Sequence, residues 1–543
     1  VTILSRLPMP VVLVLAAALA MLVPAAHASV LREHAIARNF FYSALLVMVV
    51  TGMVALAMGA RRSARHPREA LLTVVAVFGL MPLILAMPVA QSLPDTGLFN
   101  AWWEMVSSLT TTGASLYSAD LLPAPLHLWR GLVGWLGGFF VLIAATAILA
   151  PLRVGGFELI SAPYGREEHF GVLPDSADPP DPVPHLSSPA FRTRFSEPGH
   201  RLRRAAAAVA PAYAGLTLAL WVILLMLGDD GLTALMRAMG TLSTSGISPA
   251  LGPVGEASGR PGELAVLVFL IPALSRRFWP GGAELRASQR LRDDPELRMA
   301  AFIVGLVALA LFARHFLWAI ETGDASEGPV ALALADLRAA LAVAWGAVFN
   351  GLSFLTTTGW NSLDWQGVRD WSGLNSPGLV LAGLAMMGGG VATTAGGVKL
   401  MRVYALARHG QRELERIVHP GSVGGGGPMA RRLRREGAYL AFIFFMLFAV
   451  SIAATVTLVS LQRIEFETAT VLSIAALSNT GQLAGAIPLT PAFEGSAGIA
   501  SAPWEGWSGL PVATKAVLAL AMIVGRIETL AILALLSPEF WRR

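Results

Sequence analysis

The sequence predicts an all-α integral membrane protein built from four pseudo-repeated units, each a span, a short helix, a polar turn and a second span. Two extra transmembrane helices precede the repeats. Three observations predict this. Of 543 residues, 55% are hydrophobic and 14% charged, where soluble domains carry about 25% charged residues. Apolar runs close to the ~20 residues that cross a bilayer recur along the whole chain. A small polar motif closing on glycine occurs four times at similar spacing, the mark of an internal repeat.

Arg6, an apolar run from Val11 to Ala25 and Ala26-His27-Ala28 have the layout of a signal peptide with a small-residue cleavage site. Further spans and the charge asymmetry favour a retained first helix instead. Spans are expected near 10–27, 40–60, 70–90, 131–151, 206–228, 262–279, 300–320, 378–404, 437–461 and 511–535, about ten in all. Four apolar stretches, near 99–111, 231–243, 338–355 and 466–478, read as too short or too polar to cross. Each is expected to enter halfway as a re-entrant helix and return as extended backbone. The expected organisation is two N-terminal helices over 1–66, a first unit over 67–155 and a connection over 156–205. A second unit covers 206–298 and a third 299–410, and a connection over 411–435 leads to a fourth unit over 436–543.

Each short stretch ends in a polar turn: Thr110-Thr111-Thr112-Gly113, Ser243-Thr244-Ser245-Gly246, Thr356-Thr357-Thr358-Gly359 and Ser478-Asn479-Thr480-Gly481. Their glycines are 133, 113 and 122 residues apart. Non-helical backbone at membrane depth is tolerated only when buried in protein or lining a wet cavity. Four such loops satisfy this together by converging on one axis, a central pore.

Arginine-rich connections fix the orientation. Arg61, Arg62, Arg65 and Arg68 follow the second span, and Arg192, Arg194, Arg201, Arg203 and Arg204 precede the fifth. Arg276, Arg277, Arg286 and Arg290 lie in the next such connection, Arg431, Arg432, Arg434 and Arg435 in the one after, and Arg542 and Arg543 end the sequence. Alternate connections carry Asp229-Asp230 or Glu321, Asp324 and Glu327 instead. The arginine-rich sides are cytoplasmic, which puts both termini inside and all four turns on the outer side. A Pro- and Ser-rich stretch over 165–200 reads as an irregular loop, and Gly424 to Gly427 as a hinge. The basic residues thus mark membrane orientation, not nucleic-acid binding. The chain has no cysteine, which excludes a disulfide framework and thiol chemistry.

A cation crossing a bilayer exchanges its water shell for protein oxygens, and backbone carbonyls supply strong dipoles without a trapping charge. Glycine allows the dihedral angles and close approach this requires, and Thr and Ser hydroxyls brace the neighbouring backbone. The predicted K⁺-binding residues are Thr111, Thr112, Gly113, Thr244, Ser245, Gly246, Thr357, Thr358, Gly359, Asn479, Thr480 and Gly481. The competing reading of one turn is a helix C-cap with the glycine left-handed, and four matched copies weigh against it.

The run Gly388-Gly389-Gly390-Val391-Ala392-Thr393-Thr394-Ala395-Gly396-Gly397-Val398-Lys399 cannot make a stable uninterrupted helix. It predicts a broken span with a loop below the turns. Small-residue helix packing is the alternative. Gly525-Arg526-Ile527-Glu528 puts an arginine inside an apolar span, where it faces a partner or a water-filled path. A snorkelling arginine or a local pair with Glu528 is the alternative. Lys399 reads equally as a gating residue or as the end of its helix.

These residues resemble the Trk/Ktr/HKT superfamily of potassium transporters, the TrkH/TrkG type above all. The resemblance covers essentially the whole chain. It rests on the four turns, Gly134-Trp135-Leu136-Gly137-Gly138, Asp294-Pro295-Glu296-Leu297-Arg298, Gly389 to Lys399 followed by Met401-Arg402, and Gly525-Arg526-Ile527-Glu528-Thr529-Leu530. It implies potassium uptake across a bacterial cytoplasmic membrane, a homodimer with one pore per subunit, and a cytosolic ring of TrkA-type NAD/ATP-binding regulatory subunits. It implies no organic cofactor on this chain. Gly113, Gly246, Gly359 and Gly481 match the filter glycines. Gly389, Gly390, Thr393, Thr394, Gly396, Gly397 and Lys399 fall in the family's gating loop, and Arg526 matches its basic residue under the filter. Glycine rather than serine at 113 implies potassium over sodium. Two positions depart from the pattern: Ile271-Pro272-Ala273-Leu274 replaces a glycine-rich stretch, and Gln482 stands where relatives have proline. The rivals are a Na⁺-permeable or mixed monovalent cation transporter and, remotely, an intramembrane enzyme, for which the ten histidines offer no ligand spacing.

Overall fold

A computed structural model of the chain describes residues 9–58, 67–150, 198–250, 252–280, 291–322, 335–372, 378–419, 435–487 and 506–528. The regular structure is helical, as uniformly apolar sequence demands where backbone groups have no water to bond. The N-terminal pair comprises α1 (Met9–Ala20), α2 (Leu22–Val30) and α3 (His34–Met58). Pro24 has no N–H to give the Ala20 carbonyl, and the first span breaks at Met21. Pro82 does the same between α4 (Pro67–Gly79) and α5 (Met81–Ser92).

The first unit continues with α6 (Gly97–Leu109) and α7 (Ala124–Ala144), which runs on as a π-turn over Ala145–Leu149. The second has α8 (Pro198–Met226), α9 (Gly231–Leu242) and α10 (Gly259–Leu270). The third has α11 (Pro295–Thr322), α12 (Ala335–Leu355), α13 (Trp365–Ser372) and α14 (Gly378–Met387), and α15 (Leu400–Val418) follows. The fourth has α16 (Arg435–Ser460), α17 (Phe466–Leu477), the single turn α18 (Leu483–Ala486) and α19 (Val512–Ile527).

Contacts between units run in a cycle. Helix α7 packs on α9, α10 on α12, α14 on α17, and α19 on α6. The closing contact is also bonded: buried Trp103 on α6 donates its indole N–H to the Lys515 carbonyl on α19 at 2.9 Å. Helices associate in lipid through close packing and hydrogen bonds rather than hydrophobic gain. Two glycines let equivalent helix pairs touch. A methyl built on Gly137 of α7 would lie 2.0 Å from the Leu109 carbonyl oxygen, and one on Gly525 of α19 2.1 Å from that of Leu477.

Eight helical segments among the described residues are long and apolar enough to cross a membrane, against about ten expected over the whole chain. Seven are expected spans. The eighth, Arg338–Leu355, is one of the stretches read as too short or too polar; with its preceding turn it forms the 21-residue α12. Two expected spans are interrupted and a third is described only in part. Over 262–279, α10 stops at Leu270 because Pro272 cannot donate to the Val268 carbonyl, and 3-10 turns follow at Ile271–Ala273 and Arg276–Phe278. The 378–404 span is interrupted after Met387, and α19 is described only to Ile527. The 165–200 stretch, except its last three residues in α8, the Gly424–Gly427 hinge, and Thr529-Leu530 lie outside the described residues.

Candidate functional site

The helices that lead into the four turns, α6, α9, α12 and α17, end identically. In each quartet the second residue is left-handed: Thr111 at φ 57°, Thr244 at 54°, Thr357 at 58° and Asn479 at 56°. The third residue's N–H reaches back five residues, as in Thr112 to Ser107 at 2.9 Å, Ser245 to Gly240 at 2.9 Å, Thr358 to Ser353 at 3.0 Å and Thr480 to Ala475 at 2.8 Å. This is a Schellman cap. The C-cap reading was therefore right in kind but misplaced, since the cap falls two residues before the glycine. A β-branched residue is a genuine outlier there, costing about 1–3 kcal/mol at each of the three threonine sites, and such strain collects at functional sites; Asn479 tolerates the conformation. The backbone then runs on to the glycine, left-handed in Gly113, Gly246 and Gly359 but not in Gly481.

The four turns meet edge to edge in the same cyclic order as the units. A methyl built on Gly113 would lie 2.0 Å from the Ser245 carbonyl oxygen, and one on Gly246 2.2 Å from that of Thr358. One on Gly359 would lie 2.6 Å from Gln482 Cβ, and one on Gly481 2.5 Å from the Ala114 nitrogen. The first and fourth turns are bonded through Gly481 N–H to the Thr112 carbonyl at 2.7 Å and Asn479 Nδ2 to Thr112 Oγ1 at 3.1 Å. All sixteen quartet residues are buried. Thr111 Oγ1 and Asn479 Oδ1 are buried without a hydrogen-bond partner in the protein, polar oxygens that a desolvated cation suits.

Three of the short helices carry a polar anchor nine residues before the glycine, which the sequence reading missed. Glu104 on α6 is fully buried, pairs with Arg130 at 2.5 Å and accepts the Leu116 N–H at 2.9 Å. Asn350 on α12 accepts the Ser362 N–H at 2.9 Å from the same relative position. Arg237 on α9 pairs with Asp229 at 2.8 Å and donates to the Pro253 carbonyl at 3.3 Å. The fourth helix has Leu472 there. Buried Glu263 on α10 also serves the third turn, accepting from Ser362 Oγ at 2.9 Å, Leu363 N at 2.6 Å and Trp345 Nε1 at 2.6 Å. Lone polar residues at a fixed offset in apolar helices were the available signal.

Residues 388–399 form a wholly buried irregular loop between α14 and α15. Its ends are zipped by Val398 N–H to the Met386 carbonyl and Leu400 N–H to the Gly389 carbonyl, both at 2.9 Å. Gly390 N–H donates to the Ala273 carbonyl at 3.0 Å, beside the Pro272 break, and Val391 N–H to the Glu296 carboxylate at 2.7 Å. The loop touches two turns: Gly396 N–H donates to Thr357 Oγ1 at 2.7 Å, and a methyl on Gly396 would lie 2.2 Å from the Ser478 carbonyl oxygen. Arg526 Nη2 donates to the Thr394 carbonyl at 2.7 Å. Glu528 pairs with Arg402 instead, at 2.9 Å. Lys399 does not end a helix at the membrane face; it precedes α15, buried, with Nζ donating to the Ala395 carbonyl.

Thr357→Val keeps the shape and the left-handed strain but removes the acceptor for Gly396. An unpaired buried N–H costs about 1–3 kcal/mol, and thermal unfolding of the purified protein is expected to show a loss of that order.

Four matched turns meeting in cyclic order in a multi-span helical molecule define a repeat-built membrane protein. Comparison with known proteins gives consistent similarities. Residues 297–543 match the family model TrkH, described as "Cation transport protein". The Trk system potassium uptake protein TrkH of Halomonas elongata is 29% identical over 486 residues, covering 87% of this chain and 84% of that one. The Escherichia coli K12 TrkH is 25% identical over 527 residues, 96% of each chain, and its TrkG is 23% identical over 482. The crystal structure of the potassium transporter TrkH from Vibrio parahaemolyticus matches with a TM-score of 0.71 over 99% of both chains at 22% identity. The C-terminal part of the chain thus matches the TrkH family model, and most of its length is similar to TrkH and TrkG proteins.

Proposed function

We propose that the chain takes up K⁺ across the bacterial cytoplasmic membrane through one pore, with the four turns as its selectivity filter. The observation that carries this reading is the cyclic meeting of four identically capped turns, each in contact with the next. The potassium uptake named for the relatives supports it. K⁺ sheds water on the outer side against Thr111 to Gly113, Thr244 to Gly246, Thr357 to Gly359 and Asn479 to Gly481. The membrane potential then draws it inward. Carbonyl dipoles replace its hydration without binding it irreversibly. The loop over 388–399 is the gate beneath the filter, and Arg526 latches it through Thr394. Both termini face the cytoplasm. Two copies assemble as a homodimer, and a cytosolic TrkA-type NAD/ATP-binding subunit sets the gate from the arginine-rich side.

The test is Rb⁺, K⁺ and Na⁺ uptake in a host lacking its own potassium transporters. The wild-type chain is expected to favour K⁺ and Rb⁺ over Na⁺. The double variant Gly113→Ser, Gly246→Ser is expected to lose that preference, because its side chains collide with the Ser245 and Thr358 carbonyls. Unchanged uptake and preference in the double variant would sink the filter assignment.

A further inference from the structure

The fourth turn departs from the other three at its glycine and at the residue after it, Gln482. In the first three turns the glycine N–H points back to its own helix, at 3.3 Å for Gly113, 3.4 Å for Gly246 and 3.2 Å for Gly359. Gly481 instead gives its N–H to Thr112 of the first unit, and α18 starts directly after Gln482. This turn swings the Gln482 side chain over the point where the turns meet. Its Nε2 donates to the Gly246 carbonyl at 2.8 Å and to the Gly113 carbonyl at 3.2 Å. Its aliphatic part lies against the third unit, 2.6 Å from where a Gly359 methyl would sit. One side chain of the fourth unit thus contacts the glycines of the other three. The quartet residues are all buried, whereas Gln482 is partly exposed, so it stands where the group opens outward. The amide orientation follows from its partners: two carbonyl oxygens require a donor, and only Nε2 supplies N–H groups.

We propose that Gln482 is a built-in competitor at the mouth of the pathway, an affinity-determining residue whose amide occupies the Gly113 and Gly246 carbonyls until a cation displaces it. The proposal rests on the reading that these carbonyls bind the transported ion. A carbonyl donating electron density to an N–H offers less to a cation, so each entering ion must break both bonds. The Gln482 amide thereby sets the external concentration at which uptake half-saturates, and it acts on two units only, making the mouth asymmetric.

The test uses Gln482→Met, which keeps the length and loses the donor, with Gln482→Ala as a second donor-free variant should the first fold poorly. Rb⁺ uptake by transporter-deficient cells gives the half-saturating concentration. The K⁺ concentration that half-maximally raises the thermal stability of the purified full-length chain gives binding without transport. Both concentrations are expected to fall about ten- to a hundredfold, the size of two lost competing hydrogen bonds. Unchanged values in a folded variant overturn the proposal. A rise overturns it too, and marks Gln482 as a ligand instead of a competitor. If the wild-type chain transports Rb⁺ and the double serine variant loses selectivity while Gln482→Met changes nothing, this proposal alone fails. If the wild-type chain carries no Rb⁺, the filter reading falls and this one with it.

Discussion

Arg526→Gln is expected to raise Rb⁺ uptake under conditions that hold the wild-type protein closed, by about ten- to a hundredfold. The argument begins with the arginine's situation. It is buried near the end of α19, and its Nη2 bonds the Thr394 carbonyl at 2.7 Å. The carboxylate nearest in sequence, Glu528, is engaged by Arg402. The Arg526 charge is thus spent on the loop. A hydrogen bond from a charged donor contributes about 1.5–3 kcal/mol. If it holds the closed loop alone, its loss shifts the closed-to-open ratio by roughly ten- to a hundredfold. Removing a fixed positive charge from the path also lowers the barrier to an entering cation. Arg526→Lys keeps the charge but lacks the planar fork, and it should fall between the two. Uptake at or below the wild-type level, with normal amounts of protein in the membrane, would refute the latch.

How much of this could be read from the residues depends on distance along the chain. The four turns were legible because each is a local pattern after an apolar stretch, and repetition raised a weak signal above chance. The break after Met387 was legible for the same reason, since glycine density alone opposes a helix. The interruption of α10 was misread as a continuous span although Pro272 was in plain view; hydropathy averages over a proline that the hydrogen-bond ladder cannot. The length of α12 was misjudged because Asp336 and Arg338 in its first turn interrupt the apolar window. Gln482 stood out as an oddity, but its partners are 236 and 369 residues away. No local pattern says that the fourth unit closes the cycle against the first. The same holds for Arg526 and Thr394, which are 132 residues apart.

Glu104→Ala is the substitution with the largest expected cost in stability. Glu104 is fully shielded, its carboxylate is 2.5 Å from Arg130 Nε, and it accepts the Leu116 N–H three residues beyond the first turn's glycine. Truncation leaves Arg130 buried without its counter-charge, which costs about 3–5 kcal/mol. The double variant Glu104→Leu, Arg130→Met removes both charges and fills the volume, so stability should largely return, because an apolar replacement of a buried pair is often neutral. Uptake should not return with it. The Leu116 N–H still has no acceptor in the double variant, and the backbone leaving Gly113 loses the bond that fixes its course past the Ser245 carbonyl. Separating the two readouts distinguishes a carboxylate that merely neutralises an arginine from one that places the turn. Thermal stability of the purified protein and Rb⁺ uptake per molecule in the membrane measure them independently. Full recovery of both in the double variant would show that the ion pair alone matters and that Glu104 has no part in holding the first turn.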